Sequence, residues 1–265
     1  MIGAIIGDIA GSRFDHSSAP KGNFDIFTND SDCVYTDDTV CTVAIADAIM
    51  NHKSYKESLL MWCRKYNKIV TYGGKFQDWL ESDDPQPYGG YGNGAAMRVS
   101  SVGWLFNDYD TVINEARKTA EPSHNSQEGI DGAQCVAVLI YWLRTCRITK
   151  EEVESAVKKN WDYDIPPLED IYRISKTGHF DSTCQETVPW AIRCFLESSS
   201  FEDAIRIAVM AGGDTDTKAA ITGSIAEAYY DVPDDMIKKA CGYLPDDILD
   251  VVERFYGTIQ KEVKD

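Results

Sequence analysis

Apolar residues recur every three or four positions along most of this sequence, and strand-like alternation is hard to find. The clearest stripe lies near the C-terminus and consists of Ile248, Val251, Val252, Phe255, Tyr256, Ile259 and Val263. Residues spaced in this way share one face of an α-helix and bury it against a core. The pattern therefore predicts a mostly or wholly α-helical fold.

Other segments show the same helical pattern. Thr149-Lys150-Glu151-Glu152 has the form of a capping box, in which Thr149 and Glu152 satisfy each other's backbone donors, so a helix is predicted to start at Thr149. Residues 133–146 are apolar nearly all round, which predicts a central, buried helix. Further predicted helices cover residues 39–50, 55–69, 93–106, 187–196 and 217–230, and an apolar stripe follows Ser200.

Length and composition favour one domain. A chain of 265 residues with 43% hydrophobic residues can form a sizeable core, and no linker rich in Pro, Gly or Ser divides it. We therefore predict a single domain over residues 1–265. Eight cysteines occur with no C-x-x-C pair, and several, such as Cys135 and Cys194, fall among apolar residues. This usage is typical of reduced core thiols in a cytoplasmic protein.

The charge balance and the hydropathy narrow the choice of partners. With 26 basic and 43 acidic residues the net charge is −17, which repels nucleic acid and anionic membrane surfaces. No stretch reaches the roughly 18 uninterrupted apolar residues of a membrane span, and the apolar residues 1–6 lack a basic lead-in. We expect neither a nucleic acid nor a membrane as partner.

Two acidic segments each head an apolar helix. The first is Thr36-Asp37-Asp38-Thr39, for which helix capping alone is an equally good explanation. The second is Gly212-Gly213-Asp214-Thr215-Asp216-Thr217, which has more oxygen ligands than a cap requires. Carboxylate and hydroxyl oxygens suit Mg²⁺ rather than Zn²⁺, and cations between the two helix ends would offset the repulsion. The two segments together therefore predict a binuclear Mg²⁺ site.

A glycine-rich segment is the third candidate. Its residues are Gly89, Gly90, Tyr91, Gly92, Asn93 and Gly94. Such a loop before a helix can hold a phosphate with its backbone N–H groups, although a flexible turn has the same composition. The four histidines, His16, His52, His124 and His179, show no metal-ligand spacing.

These segments, taken in order, resemble those of the ADP-ribosylglycohydrolase family. The resemblance runs along the whole chain and rests on five motifs: residues 3–14, Thr36-Asp37-Asp38-Thr39-Val40, residues 89–94, Ser123-His124 with Asp131-Gly132-Ala133, and residues 211–217. It implies an all-α orthogonal helical bundle with two Mg²⁺ ions in a cleft, Mn²⁺ being an alternative. The implied reaction is hydrolysis of the glycosidic bond between ADP-ribose and a protein side chain, which releases ADP-ribose.

The resemblance also implies roles for individual residues. The implied metal ligands are Thr36, Asp37, Asp38, Asp214, Asp216 and Thr217. Gly89, Gly90, Tyr91, Gly92, Asn93 and Gly94 would line the diphosphate and ribose, and His124 would contact the substrate. Asp15, Asp37 and Asp216 are the carboxylates implied to be catalytic, through activation of water.

Asp15 departs from the pattern of many relatives, which have a glutamate at this place. The shorter stem withdraws the carboxylate by about 1.5 Å, and a misplacement of about 1 Å can cost roughly 100-fold in rate. Asp15 is therefore catalytic, a neighbour of metal or ribose, or inactive. Besides the hydrolase, two readings stay open: an ADP-ribose-binding protein with little turnover, and a crystallin-like structural protein.

The sequence leaves the acceptor open between arginine, serine and a small ADP-ribosyl conjugate or nucleotide. We expect residues 72–88 and 162–187 to form the edges of the cleft, where acceptor contacts arise. Because the ADP-ribosyl group is anionic and the chain is acidic, binding is expected to fail without the divalent cation.

Overall fold

The computed structural model describes residues 1–15, 19–20, 22, 24–28 and 32–262, except for the side chains of residues 261 and 262. Its described part is helical, and its only β pairing is an isolated bridge between Gly92 and Thr183. The helices are α1 (Ile2–Ser12), α2 (Asp37–Met50), α3 (Tyr55–Tyr66), α4 (Gly74–Glu81), α5 (Gly94–Met97), α6 (Ser100–Leu105), α7 (Tyr109–Ala120), α8 (Gln127–Arg144), α9 (Val153–Trp161), α10 (Leu168–Ser175), α11 (Cys184–Glu197), α12 (Phe201–Met210), α13 (Thr215–Glu227), α14 (Asp234–Cys241) and α15 (Asp246–Glu262). The predicted all-α class is confirmed.

Several predicted helix positions are also confirmed. The capping box at Thr149 is present, with the Thr149 N–H donating to Glu152 Oε2 at 2.7 Å, and it opens a 3₁₀ turn (Lys150–Glu152) that leads into α9. Residues 133–141 are all buried inside α8, as their apolar pattern predicts. The C-terminal stripe lies on α15, except that Val263 falls outside the described residues.

The single helix predicted over residues 93–106 is wrong. The chain forms two short helices, α5 and α6, separated at Arg98 and Val99. Here the Met97 carbonyl accepts a hydrogen bond from the Thr42 hydroxyl at 3.3 Å, and the Arg98 guanidinium turns inward to the Thr119 carbonyl. Contacts with other helices therefore break the regular backbone ladder at this point.

The N-terminal helix α1 packs against α13 with almost no space between the two backbones, and both helices lie in the core. Gly3, Gly7 and Gly11 repeat every four residues on the face of α1 that meets α13. A Cβ atom at Gly7 would overlap the carbonyl oxygen of Ala219, and one at Gly3 would overlap that of Gly223. This contact brings the C-terminal end of α1 to the N-terminal end of α13.

Six of the eight cysteines are buried and all are free thiols, in line with core thiols. Cys241 is half-buried, and Cys146 is exposed after α8, so those two differ from the expectation. Among the described residues, no helix has both the length and the apolar character that crossing a bilayer requires.

Candidate active site

A cleft of about 760 Å³ opens where the N-terminal ends of α2 and α13 meet the end of α1. Its lining contains most of the residues that the sequence singles out: Asp15, Thr36, Asp37, Asp38, Gly90, Tyr91, Gly92, Asn93, Gly94, His124, Asp214, Asp216 and Thr217. Residues from both predicted edges, including Tyr72, Phe76 and Phe180, line it as well. The fold thus brings together segments that lie about 200 positions apart in the sequence.

Asp8 of α1, fully buried, holds the first acidic segment in place. Its carboxylate accepts hydrogen bonds from the backbone N–H groups of Thr36 and Thr39, at 2.9 and 3.1 Å, and from both threonine hydroxyls. Asp8 therefore satisfies the free donors at the start of α2 from a neighbouring helix. Thr36 is itself the N-cap of α2, and its hydroxyl oxygen accepts from the Asp38 N–H.

The carboxylates form two overlapping trios. Asp8, Asp38 and Asp216 each place an oxygen within 4.8 Å of the others, and so do Asp15, Asp214 and Asp216. Asp37 lines the same cleft but belongs to neither trio. Thr217 connects the two acidic segments, because its hydroxyl donates to Asp38 Oδ2 at 3.2 Å.

Burial, and then repulsion between neighbouring carboxylates, raises the pKa values of four aspartates at this site. Loss of hydration, with added repulsion from Asp8 and Asp214, raises the pKa of Asp37 to about 8. Burial raises the pKa of Asp8 to about 6 in spite of its four hydrogen bonds. Burial and neighbouring carboxylates also raise the pKa values of Asp38 and Asp216 well above the ordinary range. The site is therefore costly to ionise unless a positive charge enters it.

The donor set fits a hard divalent cation. It consists of carboxylate and hydroxyl oxygens, and Asp38 Oδ1 is buried with no hydrogen-bond partner among the described residues. A buried carboxylate oxygen without a partner is unfavourable in the protein alone and is the atom that a cation would satisfy.

The second acidic segment is held by a buried lysine. Gly212 and Gly213 both have positive φ, at 67° and 72°, a conformation that suits glycine. Lys218, only 1% exposed, donates from Nζ to the Gly212 carbonyl at 2.6 Å and lies over the Trp190 ring. This contact fixes the turn that places Asp214 and Asp216 at the start of α13.

The glycine-rich segment is less open to a ligand than the sequence suggests. The N–H groups of Gly89, Gly90 and Asn93 donate to Asn125 Oδ1, Ser123 O and Ser182 O. The loop can therefore offer a phosphate at most the N–H groups of Tyr91, Gly92 and Gly94. The Asn93 side chain donates to Asp214 Oδ2 at 2.7 Å, so it supports the acidic segment. Gly89 does not line the cleft.

His124 lies directly beneath this loop and is 7% exposed. A Cβ at Gly94 would lie 3.1 Å from His124 Nε2, and one at Gly90 would lie 3.0 Å from its Cδ2. Burial, together with the nearby Arg98 cation, lowers the pKa of His124 to about 3. The imidazole is therefore neutral near pH 7.

The other histidines lie away from this cleft or outside the described residues. His52 is exposed after α2, and His16 is not among the described residues. His179 pairs with Glu186 at 2.8 Å, and the two form a separate trio with Asp181. Sequence reasoning missed Asp8, Lys218 and Arg98 as parts of the site, although an aspartate within the apolar α1 signals a buried acceptor that needs donors.

Comparisons with known proteins show which family the chain resembles. The sequence profile described as ADP-ribosylglycohydrolase matches residues 1–264. ADP-ribosylhydrolase ARH3 of Bos taurus is 27% identical over 278 residues, covering 81% of this chain and 76% of that protein. ADP-ribosylhydrolase ARH3 of Homo sapiens is 26% identical over 278 residues, with 81% and 77% covered.

A solved structure described as an ADP-ribosylglycohydrolase-related protein complex shares the fold. Its TM-score is 0.68 at 22% sequence identity, and the match covers 97% of this chain and 93% of the other. The uncharacterised protein YegU of Escherichia coli strain K12 is 27% identical over 251 residues, with 75% of this chain and 72% of that protein covered.

Proposed function

Because the chain belongs to the ADP-ribosylglycohydrolase family, we propose that it is a Mg²⁺-dependent hydrolase that removes ADP-ribose from a modified protein side chain. The relatives named ADP-ribosylhydrolase support a hydrolase that acts on ADP-ribosyl groups. The observation that carries the proposal is that five carboxylates, those of Asp15, Asp37, Asp38, Asp214 and Asp216, line one cleft together with a glycine-rich loop and a neutral histidine. The proposed acceptor is arginine or serine.

The acidic residues supply the proposed cation site. Two Mg²⁺ ions would be held by Thr36, Asp37, Asp38, Asp214, Asp216 and Thr217. Mn²⁺ is the alternative ion, because it also binds oxygen ligands. Such ions, when bound, contribute Lewis-acid polarisation of nearby oxygen atoms. Asp8 adds its hydrogen bonds to Thr36 and Thr39 and so keeps the ligands of α2 in position.

Asp15 is the proposed base. Breaking the bond at C1″ builds positive charge on the ribose ring, which nearby carboxylates stabilise. The Asp15 carboxylate, within 4.8 Å of those of Asp214 and Asp216, accepts a proton from the water whose oxygen bonds to C1″. The electron pair of the broken bond leaves with the side-chain atom of the acceptor, and the proton taken up by Asp15 passes to that atom, so one water is consumed for each bond broken.

The glycine-rich loop and His124 are proposed to bind the rest of the substrate. Tyr91, Gly92, Gly94 and His124 line the cleft, where the loop N–H groups and the imidazole would donate to diphosphate or ribose oxygens. These contacts are neutral, so in a chain of net charge −17 the attraction for an anionic ligand must come largely from bound cations.

The direct test is release of ADP-ribose from arginine-linked and serine-linked mono-ADP-ribosylated protein, each with Mg²⁺ and with EDTA. We expect release from at least one substrate with Mg²⁺ and a loss of at least about 100-fold in EDTA, since both binding and chemistry depend on the cation. Equal rates in Mg²⁺ and EDTA would refute the metal requirement.

The short side chain of Asp15 favours one second candidate, an ADP-ribose-binding protein with little turnover. This reading predicts that ADP-ribose raises the melting temperature in Mg²⁺ while neither substrate is hydrolysed. It also predicts that Asp15→Glu, which extends the carboxylate by one methylene, restores hydrolysis.

A further inference from the structure

We propose that Arg98 and Ser123 are positioning residues that hold His124 in one tautomer, with its proton on Nε2, so that the ring donates a hydrogen bond into the cleft. The identity of the acceptor, an oxygen of the ADP-ribosyl group, rests on the proposed function. The tautomer itself does not, because it follows from contacts within the protein.

Arg98 fixes the direction of the first hydrogen bond. Its side chain is 1% exposed, and its Nη2 atom donates to the Thr119 carbonyl at 2.7 Å and to Ser123 Oγ at 3.0 Å. A guanidinium has donors and no acceptor, so Ser123 Oγ must accept in this contact.

Ser123 connects Arg98 to His124 through its hydroxyl group. Its hydroxyl has one hydrogen, and His124 Nδ1 lies 2.8 Å from Oγ. Oγ keeps a second lone pair, and the Tyr88 side chain is a further hydrogen-bond partner of Ser123. The Arg98 cation that donates to Oγ favours a serine O–H that points away from it, so this O–H is assigned to Nδ1, which then accepts. In a neutral imidazole the other nitrogen, Nε2, then has the proton.

The Nε2 atom lies beside the glycine-rich loop, and His124 is one of the residues that line the cleft. Nε2 would lie 3.1 Å from a Cβ at Gly94 and 3.7 Å from one at Gly92, so glycine at both positions leaves room beside it. The rings of Tyr88 and Phe76 pack on the imidazole at centroid distances of 5.6 and 6.4 Å. Arg98 is the charged group next to it and disfavours a protonated ring. His124 is thus neutral, with its Nε2–H available to donate a hydrogen bond before any substrate binds.

The tautomer can be measured in the full-length protein by ¹⁵N NMR of the histidine side chains, without substrate or metal. The signals of His124 are identified as those missing in His124→Gln. We expect a protonated Nε2 and an unprotonated Nδ1 near pH 7. A protonated Nδ1, or an imidazolium, would overturn the proposal.

Comparison of Ser123→Ala with Ser123→Thr distinguishes a role of Ser123 in positioning His124 from a role in folding. Ser123→Ala removes the O–H that points at Nδ1, so we expect a mixture of tautomers, whereas Ser123→Thr keeps the hydroxyl and should keep the Nε2–H form. Ser101→Ala is the matched control, since Ser101 is equally buried and its hydroxyl has no hydrogen-bond partner. Unchanged His124 signals in folded Ser123→Ala would refute the positioning role of Ser123.

Binding of ADP-ribose in Mg²⁺ gives the second measurement. We expect Ser123→Ala to bind about 5- to 10-fold more weakly, the scale of one neutral hydrogen bond, and Ser123→Thr and Ser101→Ala to bind like the parent. Equal affinity of Ser123→Ala and parent would contradict the donor role of His124. If the parent chain binds no ADP-ribose at all, the proposed function fails, while the NMR result still decides the tautomer.

Discussion

Asp15 is the residue on which turnover is expected to depend most directly. Asp15→Asn preserves size but removes the charge and the capacity to accept a proton. We expect ADP-ribose release at saturating Mg²⁺ to fall by at least about 100-fold, the usual contribution of a general base. The affinity for ADP-ribose should change by less than about 3-fold, because the cation site and the glycine-rich loop remain.

Single-turnover release and calorimetric binding measure these two quantities. Asp164→Asn serves as the control, because it removes the same charge from a side chain that is 88% exposed and pairs with Lys158 at the surface. Unaltered release by Asp15→Asn would show that Asp15 is not the base.

Individual site residues could be predicted from the sequence when their signal was local. Asp37, Asp38, Asp214 and Asp216 stand in short motifs at helix starts, and the structure brings them to one cleft. Other residues act through distant partners that no local spacing reveals. Asp8 bonds to Thr36 and Thr39, Arg98 to Thr119 and Ser123, and Lys218 to a backbone carbonyl in a turn.

At the level of elements, the contact between α1 and α13 sets the shape of the cleft. Gly7→Ala would place a methyl group onto the Ala219 carbonyl, and backbone on both sides cannot move aside cheaply. We expect this variant to lose more than about 3 kcal/mol in the free energy of unfolding, or not to fold. Urea unfolding followed by circular dichroism measures the change.

Gly257→Ala is the matched control for this element. Gly257 also lies within a helix, α15, but a Cβ there meets nothing within 4 Å. Alanine at an unobstructed helical position should stabilise the protein by about 0.5–1 kcal/mol. A similar loss in both variants would indicate a general effect of the substitution and contradict the tight contact.

Helices were easiest to predict where periodicity and a cap coincide. The start of α9 follows from Thr149 and Glu152, and the burial of α8 follows from its apolar residues. Some predicted helix boundaries are wrong: the helix predicted to reach residue 69 ends at Tyr66, where Ile69 and Val70 donate to its carbonyl in a local turn. Helix α2 starts at Asp37, two residues before the predicted start, where Asp8 accepts from the Thr36 and Thr39 N–H groups. Helix α1 was not predicted, because its three glycines weaken helix propensity. The close packing of α1 against α13 is what requires glycine at these positions.

At the level of the whole molecule, the crowded carboxylates couple folding to pH. In the unfolded chain these groups titrate near pH 4. In the folded protein the pKa of Asp8 is raised to about 6 and that of Asp37 to about 8, and the values of Asp38 and Asp216 are raised too. Between these limits the folded state binds more protons than the unfolded state, so the free energy of unfolding falls as pH rises.

We therefore expect the metal-free protein in EDTA to melt at least ~5 °C lower at about pH 8.5 than at about pH 6, since 1 kcal/mol corresponds to ~2–4 °C for a chain of this size. Millimolar Mg²⁺ should reverse most of this loss at the higher pH, because a cation that binds the ionised carboxylates of the folded state stabilises that state by mass action. Differential scanning fluorimetry at both pH values measures the effect. Asp38→Asn removes one of the crowded charges and should flatten the pH dependence in EDTA, which separates the cleft from the general repulsion of an acidic surface. A melting temperature that rises with pH in EDTA would show that the carboxylates ionise in the folded protein without cost.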